Sequence, residues 1–324
     1  MKESFTKNLL KNRSLELASK IDNARKVVAN ELLEYRDQFL QRNCPVCDNS
    51  EGEEKIIIGY ECRTCNKCTL EYVSYVPNQK LLKLYYNDVR MTKHEVWKRD
   101  RKNEFLSKLK VINNLNIQGP VIELGAGTGQ FVKFLNDNNF DTVGFEIDKE
   151  SCIKAENERS VKVINLNIEN DEFEYDNNCE LFLMYEIIEH LINPKNIIEK
   201  VFSSLKNGGY LIITTPNAAG GSEILIPPET KGRFLASALY PPYHINAFSI
   251  HTLYNLLIDC GFNIFDISTP GKFDIEMIDL HTKILDGIDF SDDKFKELIF
   301  DKFQSILSTS MGSGHLQMIA QKPF

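Results

Sequence analysis

Apolar and polar positions alternate along the second half of the chain in a pattern that predicts strand followed by helix, several times over. Short apolar runs such as 121–124 indicate buried strands, and apolar residues three and four apart indicate amphipathic helices. The predicted strands are 121–124, 141–146, 161–165, 180–184, 209–214, 263–268 and 315–320. The predicted helices are 129–138, 149–157, 195–206 and 249–261. This order predicts an α/β fold with a doubly wound, seven-stranded, Rossmann-like sheet.

Three further stretches have helical patterns. Residues 14 to about 40 carry one apolar stripe, which predicts a single helix packed on the body of the protein or, alternatively, on a second copy. The stripe consists of Leu17, Ile21, Ala24, Val28, Leu32, Tyr35 and Phe39. A helical connector is predicted over 77–118, where Tyr85, Tyr86 and Trp97 either line the mouth of a ligand site or pack between modules. A helical insertion is predicted at about 274–309.

The first predicted strand of the sheet ends in alternating glycines, Gly125, Gly127 and Gly129, before a helix begins. Glycine lets the backbone turn with positive φ and lets a ligand come close, and a helix start offers free N–H groups. The spacing fits neither a dinucleotide fingerprint nor a P-loop. Glu123 precedes the glycines, and Glu146 ends the next strand, where a carboxylate can hold both hydroxyls of a ribose. We therefore predict a nucleotide-type site, the alternative being a tight turn kept for packing.

Five of the eight cysteines lie between positions 44 and 68. Two C-x-x-C pairs separated by a short β-rich loop predict a zinc ribbon, since zinc takes four thiolates at tetrahedral geometry. Cys62 makes the second pair ambiguous; we prefer Cys44, Cys47, Cys65 and Cys68 as ligands, with Cys62 a spare thiol at the end of a strand. The isolated cysteines are expected to be small buried residues, namely Cys152, Cys179 and Cys260.

These patterns divide the chain into an N-terminal helix at 1–42, a zinc ribbon at 43–76, the connector at 77–118 and a main domain at 119–324. With 324 residues, 42% hydrophobic and 26% charged, the composition is that of a globular protein. A net charge of −8 argues against a nucleic-acid partner. The start of the sequence lacks the apolar core of a signal peptide, and no apolar run is long enough to span a bilayer, so we expect a cytoplasmic protein. The oligomeric state stays open.

The stretch from Glu123 to Gly129 resembles the first motif of class I S-adenosylmethionine-dependent methyltransferases, E/D-x-G-x-G-x-G. Asn167 stands where relatives often have aspartate near the adenine, which is a departure from the family pattern. The resemblance implies that S-adenosylmethionine is bound by Glu123, Gly125, Ala126, Gly127, Thr128, Gly129, Glu146, Asn167, Ile168, Met184 and Tyr185.

Three later segments resemble a large methyltransferase subgroup. Residues 185–194 match the subgroup's motif E-x-x-E-H-x-x-x-P. Residues 205–217 match its motifs L-K-x-G-G and T-P-N, and residues 241–249 match its motif P-P-x-H-x-x-x-F-S. The cysteine pairs, together with residues 269–274 and 313–315, resemble bacterial zinc-ribbon methyltransferases associated with sugar and surface-polysaccharide biosynthesis. The resemblance implies O- or C-methylation of a sugar, nucleotide-sugar or glycan intermediate. The alternatives are an RNA 2′-O- or quinone-type O-methyltransferase and, from another class, a non-catalytic binding module.

Glu186, Glu189, His190 and His244 are the candidate catalytic residues, and three interpretations of them stay open. In RNA and quinone O-methyltransferases, similar segments hold a divalent ion such as Mg²⁺ or Mn²⁺, which lowers the pKa of a hydroxyl. Alternatively, His190 or His244 is a general base or contacts the substrate, with Glu189 beside it. In the third interpretation these residues only cap and orient their loops.

Overall fold

The computed structural model describes residues 15–82, 101–171, 178–225, 238–271, 274, 278 and 293–324. The chain divides into two compact units, each assembled from separate stretches of sequence. The first unit is drawn from Met1–Arg99, Pro216–Thr252 and Ser268–Leu316. The second is drawn from Asp100–Thr215, Leu253–Ile267 and Gln317–Phe324.

The strands and helices are numbered in chain order. The strands are β1 Phe39–Gln41, β2 Gly52–Ile57, β3 Tyr60–Cys65, β4 Glu71–Val73, β5 Tyr75–Pro77, β6 Val121–Leu124, β7 Thr142–Glu146, β8 Val163–Asn165, β9 Cys179–Tyr185, β10 Leu205–Pro216, β11 Asn246–Ala247, β12 Asn263–Ser268 and β13 His315–Gln321. The helices are α1 Leu15–Leu33, α2 Lys102–Asn113, α3 Gln130–Asp137, α4 Lys149–Arg159, α5 Pro194–Ser204, α6 Gly221–Leu225, α7 Ile250–Asp259 and α8 Asp293–Thr309.

A seven-stranded sheet with the order β12-β13-β10-β9-β6-β7-β8 forms the core of the second unit, which confirms the predicted fold class. Adjacent strands are parallel to one another along the row β10, β9, β6, β7 and β8. One face of the sheet packs on α2 and α3 through a fully apolar cluster that includes Ile112, Leu135, Leu181 and Ile212. Because parallel strands all end at one edge, the loops that follow β6, β7 and β9 gather at that edge.

The strand β10 starts earlier than the sequence predicts, because α5 ends at Ser204 and the chain becomes extended at Leu205. Gly208, which we expected in the turn before the strand, lies inside it with φ of +77°. The register with β9 shifts between Leu205 and Tyr210, so the glycines form an irregular stretch of strand.

In the first unit, β11, β4, β3 and β2 form a four-stranded sheet in that order, and β1 pairs with β5. The predicted helix over 14–40 is wrong beyond Leu33: a 3₁₀ turn at Arg36–Gln38 and then β1 follow. Phe39 was counted on the helical stripe, but it pairs with Pro77 across strands and stacks on Tyr60 with ring centroids 5.8 Å apart. Its spacing from the helical positions is therefore coincidental.

Some predicted segments lie wholly or partly outside the described residues. The structure describes residues 77–82 and 101–118 of the predicted connector. Tyr85, Tyr86 and Trp97 therefore lie outside the described residues. Of the insertion at about 274–309, α8 is described and is helical as predicted. Across the part of the chain that the structure describes, no helix combines the length and apolarity needed to cross a membrane.

Candidate functional site

The loop between β6 and α3 turns through three glycines with left-handed backbone, with φ of +71°, +54° and +70° at Gly125, Gly127 and Gly129. A Cβ on Gly125 would lie 2.1 Å from Cδ1 of Ile187, and one on Gly129 would lie 2.8 Å from Cγ2 of Val161. A side chain at either position would therefore combine backbone strain with a collision. The loop keeps its amide groups at the carboxyl edge of the sheet, where α3 begins.

Glu146 ends β7 beside this loop, as its sequence position predicts. One carboxylate oxygen accepts the amide hydrogen of Gly127 at 2.9 Å, and the other accepts that of Asp148 at 2.8 Å. Two backbone donors thus fix the orientation of the carboxylate. A carboxylate has about four acceptor sites, so it can receive two further hydrogen bonds from a ligand.

Glu123 is a buried carboxyl group just below the glycine loop, with 7% of its surface exposed. Among the described residues, nothing donates to its Oε2 atom. Burial raises the pKa of Glu123 to about 8. The positive charges of Lys108 on α2 and of Arg101, which precedes that helix, act in the opposite direction. Both of these cations contact Glu104, at 3.1 Å each. The sequence did not single out this charged cluster on α2, since a mixed-charge helix is ordinarily a solvated surface.

Tyr185 ends β9 next to this cluster. Its ring lies 3.9 Å from Nζ of Lys108 and meets Phe131 edge-on, with centroids 5.7 Å apart. Its hydroxyl is buried without a described partner, and burial raises the pKa of Tyr185 well above its ordinary value. Its neighbour Met184 is fully buried, with partners Leu124 and Ile213 on the adjacent strands.

Buried polar atoms without a hydrogen-bond partner cluster at this edge of the second unit. Among the described residues, four of its five such side chains lie in or beside the ends of β6 and β9, and the fifth, Thr142, starts β7. The four are Glu123, Thr128, Tyr185 and Glu189. Since buried polar groups in proteins are nearly always paired, a local concentration of unpaired ones indicates a ligand site.

The adenine-side candidates follow β8. The Oδ1 atom of Asn167 accepts the amide hydrogen of Glu169 at 3.1 Å, and the amide of Asn167 donates to Asp171 at 2.7 Å. The carbonyl of Ile168 accepts from Lys200 at 3.3 Å. Asn167 therefore shapes its own turn, which is a role that asparagine and aspartate share.

The loop after β9 carries the two acids and the histidine of the E-x-x-E-H segment. Hydroxyl groups at the end of β10 hold the acids: Thr214 donates to Glu186 at 2.8 Å, and Thr215 donates to Glu189 at 3.0 Å. Glu189 is 1% exposed, and its free oxygen lies 3.7 Å from Nε2 of His190. Burial and the neighbouring Glu186 raise the pKa of Glu189. No sequence motif connects the two threonines with the acids.

His244 belongs to the first unit and is described there. It is 5% exposed, and its backbone exchanges both hydrogen bonds with Tyr240. Its ring stacks on Tyr243, with centroids 4.7 Å apart. The following residues, Asn246 and Ala247, form β11 and pair with Tyr72 and Glu71 of β4.

The four predicted metal ligands come together in the first unit. The sulfur atoms of Cys44, Cys47, Cys65 and Cys68 all lie within 4.8 Å of one another. The Sγ atoms of Cys44 and Cys68 are 3.4 Å apart, and those of Cys47 and Cys65 are 3.6 Å apart. Ligands of a tetrahedral zinc–thiolate site are about 3.8 Å apart, so the donor set fits this ion.

Both C-x-x-C turns have the same backbone form. Asp48 donates to the carbonyl of Cys44 at 2.9 Å, and Thr69 donates to that of Cys65 at 3.0 Å. Asp48 and Thr69 also share left-handed φ angles, of +57° and +63°. Cys62 instead lies within β3, is 1% exposed, and has a pKa raised to about 12 by burial. The remaining cysteines are buried, as predicted.

The fold and the site define the class: the chain belongs to the class I S-adenosylmethionine-dependent methyltransferases. Residues 93–267, more than half of the chain, match the family described as "Methyltransferase domain".

The first of the following solved structures supports the fold. An S-adenosylmethionine-dependent methyltransferase from Archaeoglobus fulgidus is 19% identical, with a TM-score of 0.51 over 72% of this chain and 99% of that one. A similar enzyme from Thermotoga maritima is 20% identical, with a TM-score of 0.44 over 68% of this chain and 89% of that one. An uncharacterised protein of Methanocaldococcus jannaschii is 32% identical over 120 residues, which is 37% of this chain; the chain spans 56% of that relative's length.

Proposed function

We propose that this protein transfers a methyl group from S-adenosylmethionine to a hydroxyl oxygen, or to a carbon beside a carbonyl, of a sugar, nucleotide-sugar or glycan intermediate. The observation that carries the cofactor assignment is the cluster of buried, unpartnered polar atoms beside the glycine loop. A ligand with hydroxyl and ammonium donors would satisfy the acceptors in this cluster.

The chain's own residues would bind the cofactor as follows. Gly127 lets the backbone approach the ligand, and the fixed carboxylate of Glu146 accepts from ribose hydroxyls. Glu123 and Tyr185 lie on the side of the methionine part, where a carboxylate suits an ammonium group. Asn167 and Ile168 flank the adenine, and Gly125, Ala126, Thr128, Gly129 and Met184 shape the remaining walls.

For the chemistry, bound S-adenosylmethionine supplies a methyl group on a positively charged sulfur, which is a good leaving group. The protein must hold the acceptor in line, exclude water and take up the proton of a hydroxyl. We assign that proton to an imidazole nitrogen of His190 or His244. Glu189, buried 3.7 Å from His190, orients this imidazole and stabilises it when it is protonated.

A divalent ion is the second candidate for activating the hydroxyl. Glu186 and Glu189 with His190 and His244 make a mixed oxygen and nitrogen donor set that suits Mg²⁺ or Mn²⁺. A cation bound there would relieve the repulsion between the neighbouring carboxylates of Glu186 and Glu189. Such an ion would lower the pKa of the acceptor hydroxyl.

We also propose that Cys44, Cys47, Cys65 and Cys68 bind one structural zinc ion and make residues 43–76 a zinc ribbon. The sulfur separations and the two matching turns support this assignment. With four cysteines, no position is left open for substrate, which is the pattern of a structural site.

The acceptor class rests on the resemblance of the later segments and the cysteine pairs to sugar-associated methyltransferases. A net charge of −8 argues against an RNA acceptor. The cytoplasm is the expected compartment, because nucleotide sugars and reduced thiols are both found there.

The test is isothermal titration with S-adenosylmethionine, followed by detection of S-adenosylhomocysteine with panels of nucleotide sugars, short RNA and quinone precursors. We expect binding to the natural chain, loss of binding in Gly127→Val, and turnover with a sugar acceptor. Gly312→Val, in the first unit, is the matched control. No binding by the natural chain would favour a non-catalytic module, and turnover on RNA or quinone would refute the acceptor class.

A further inference from the structure

The helix α1 carries a buried arginine that has no acidic partner among the described residues. Arg25 is 4% exposed, and among the described residues neither its Nε nor its Nη1 atom finds an acceptor. Its guanidinium carbon lies 3.9 Å from the centre of the Tyr243 ring. The aromatic face attracts the cation, but it offers no acceptor to the N–H groups in the plane of the guanidinium.

Other arginines of the same unit show how unusual this is. Arg42, on the edge of the small sheet, donates to the carbonyls of Val73 and Ile245 and to the side chain of Asn246. Arg63 has an unpaired Nε but forms an ion pair with Glu54, and the exposed Arg36 pairs with Glu61. Among these four arginines, Arg25 alone has two buried N–H groups, at Nε and Nη1, without a carboxylate or carbonyl acceptor in the part of the chain that the structure describes.

Arginine does not lose its proton in a protein, so it cannot escape this situation by becoming neutral. Burying an uncompensated charge destabilises a fold strongly. A buried guanidinium that persists without a protein partner therefore indicates a ligand that supplies the missing acceptor. The planar fork of N–H donors matches the two oxygens of a carboxylate or a phosphate.

The surroundings of Arg25 are firmly held. The hydroxyl of Tyr60 donates to the carbonyl of Ala29 at 2.7 Å, one turn along α1, and so ties the helix to β3. On the other side, Tyr243 is stacked on His244, whose backbone is paired with Tyr240. Arg25 and His244 thus both contact the ring of Tyr243, and all three residues belong to one compact unit.

We propose that Arg25 binds a carboxylate or phosphate group of the molecule that is methylated, and that Tyr243 holds the guanidinium in place beneath it. The placement next to His244 as part of the acceptor site rests on the proposed function. The anion site itself rests only on the burial of Arg25 and its missing acceptors. An acceptor with a negatively charged group, such as a nucleotide sugar or a uronic acid, fits this site.

The first experiment measures thermal unfolding of the full-length protein with and without inorganic phosphate and, separately, acetate. We expect Arg25→Met to raise the melting temperature in the absence of anions, because it removes an unpaired buried charge. Phosphate should raise the melting temperature of the natural protein in a saturable way, and this response should vanish in Arg25→Met. Arg25→Lys, which keeps the charge but loses the fork, should weaken phosphate affinity about tenfold or more.

Arg36→Met is the matched control, since it removes an exposed arginine from the same unit and should leave the phosphate response unchanged. A phosphate response that persists in Arg25→Met, or its absence in the natural protein, would overturn the anion site. A melting temperature that falls in Arg25→Met without anions would show a structural arginine instead.

A second experiment distinguishes the source of the anion. In a methyl-transfer assay with an acceptor that the protein methylates, phosphate should inhibit competitively against that acceptor. Arg25→Lys should raise the KM of the acceptor, with a much smaller change in kcat. Noncompetitive inhibition would assign the site to free phosphate and refute the acceptor role. Failure of the proposed function would appear separately, as loss of S-adenosylmethionine binding with the phosphate response intact.

Discussion

Glu123 is one of the residues whose ionisation makes folding depend on pH. Burial raises its pKa from 4.5 to about 8, so the folded protein holds a proton there that the unfolded chain releases above about pH 5. Because the folded state binds more protons, this residue's contribution lowers the free energy of unfolding as the pH rises from about 4.5 to about 8. We expect Glu123→Gln to remove this part of the pH dependence and to be relatively more stable at pH 8 than at pH 5. Urea unfolding of the cofactor-free variant and of the natural protein at both pH values measures the difference in the free energy of unfolding.

The control for this measurement is Glu158→Gln, which changes an exposed carboxylate on α4. It should leave the pH dependence as in the natural chain. Equal pH slopes in Glu123→Gln and the natural protein would contradict the prediction, because they would mean that Glu123 titrates alike in the folded and unfolded states.

Glu146 should determine how tightly the cofactor is held. Its carboxylate is already oriented by Gly127 and Asp148, so it can accept ribose hydroxyls without rearrangement. We expect Glu146→Ala to weaken binding by about 1.5–3 kcal/mol, the usual loss for a hydrogen bond to a charged group. Isothermal titration measures this, with exposed Glu150→Ala as the control. Wild-type affinity in Glu146→Ala would show that another acid holds the ribose.

At the residue scale, the sequence predicted those groups that a short motif specifies. Glu146 was placed at a strand end by the alternation pattern, and the structure puts it beside Gly127. Thr214 and Thr215 were missed as the partners of Glu186 and Glu189, because these contacts join loops about 26 residues apart. Lys108 and Arg25 were missed for a related reason: which face of a helix is buried depends on tertiary packing.

At the scale of single elements, the proposed zinc ribbon gives a prediction that separates Cys62 from Cys65. The two lie three residues apart on β3, but only Cys65 has its sulfur among the other three ligands. We expect about one zinc per chain, retained in Cys62→Ser and lost in Cys65→Ser. Elemental analysis gives the ratio of zinc to protein. Without its zinc, the segment before residue 80 should loosen in Cys65→Ser, and limited proteolysis measures this as faster cleavage there.

Cys62→Ser serves as the matched control, since it removes a buried thiol from the same strand. Metal retained in Cys65→Ser but lost in Cys62→Ser would reverse the ligand assignment. Serine at position 62 puts a hydroxyl into an apolar site, so some loss of stability without loss of zinc agrees with the prediction.

Elements with a long or repeated pattern were predictable, and short ones were not. The strand at 121–124 and the helix at 149–157 lie almost where the hydrophobic pattern put them. The two-residue strand β11 has no pattern of its own and exists because Asn246 and Ala247 meet β4. Phe39 shows the opposite case, in which a helical spacing occurs by chance in a strand.

At the scale of the whole molecule, the order of elements was sufficient to predict the fold class. What it could not indicate is that the first unit recruits residues 216–252 from the middle of the methyltransferase sequence. Arg42 illustrates the reason: it contacts Ile245 and Asn246, about 200 positions along the chain. Such long-range pairing depends on donors and acceptors meeting in three dimensions, and hydrophobic periodicity does not encode it.

The last prediction concerns the catalytic step of the whole enzyme. His190 belongs to the second unit and His244 to the first, and each imidazole is a candidate general base. Since an imidazole is suited to take up a proton near neutral pH, replacing either by alanine should lower turnover by about 10²-fold or more. Cofactor affinity should change little, as neither histidine lies at the glycine loop. Turnover and isothermal titration of His190→Ala and His244→Ala measure the two effects, with exposed His251→Ala as the control.

Chelation then decides between the two ways of activating the hydroxyl. If a histidine base acts alone, activity survives EDTA as long as the cysteine site keeps its zinc, which elemental analysis verifies. If a divalent ion acts, EDTA abolishes activity, Mg²⁺ or Mn²⁺ restores it, and Glu186→Gln and Glu189→Gln are as inactive as the histidine variants. Near-natural turnover in both histidine variants would defeat both mechanisms, and catalysis would then come from positioning alone.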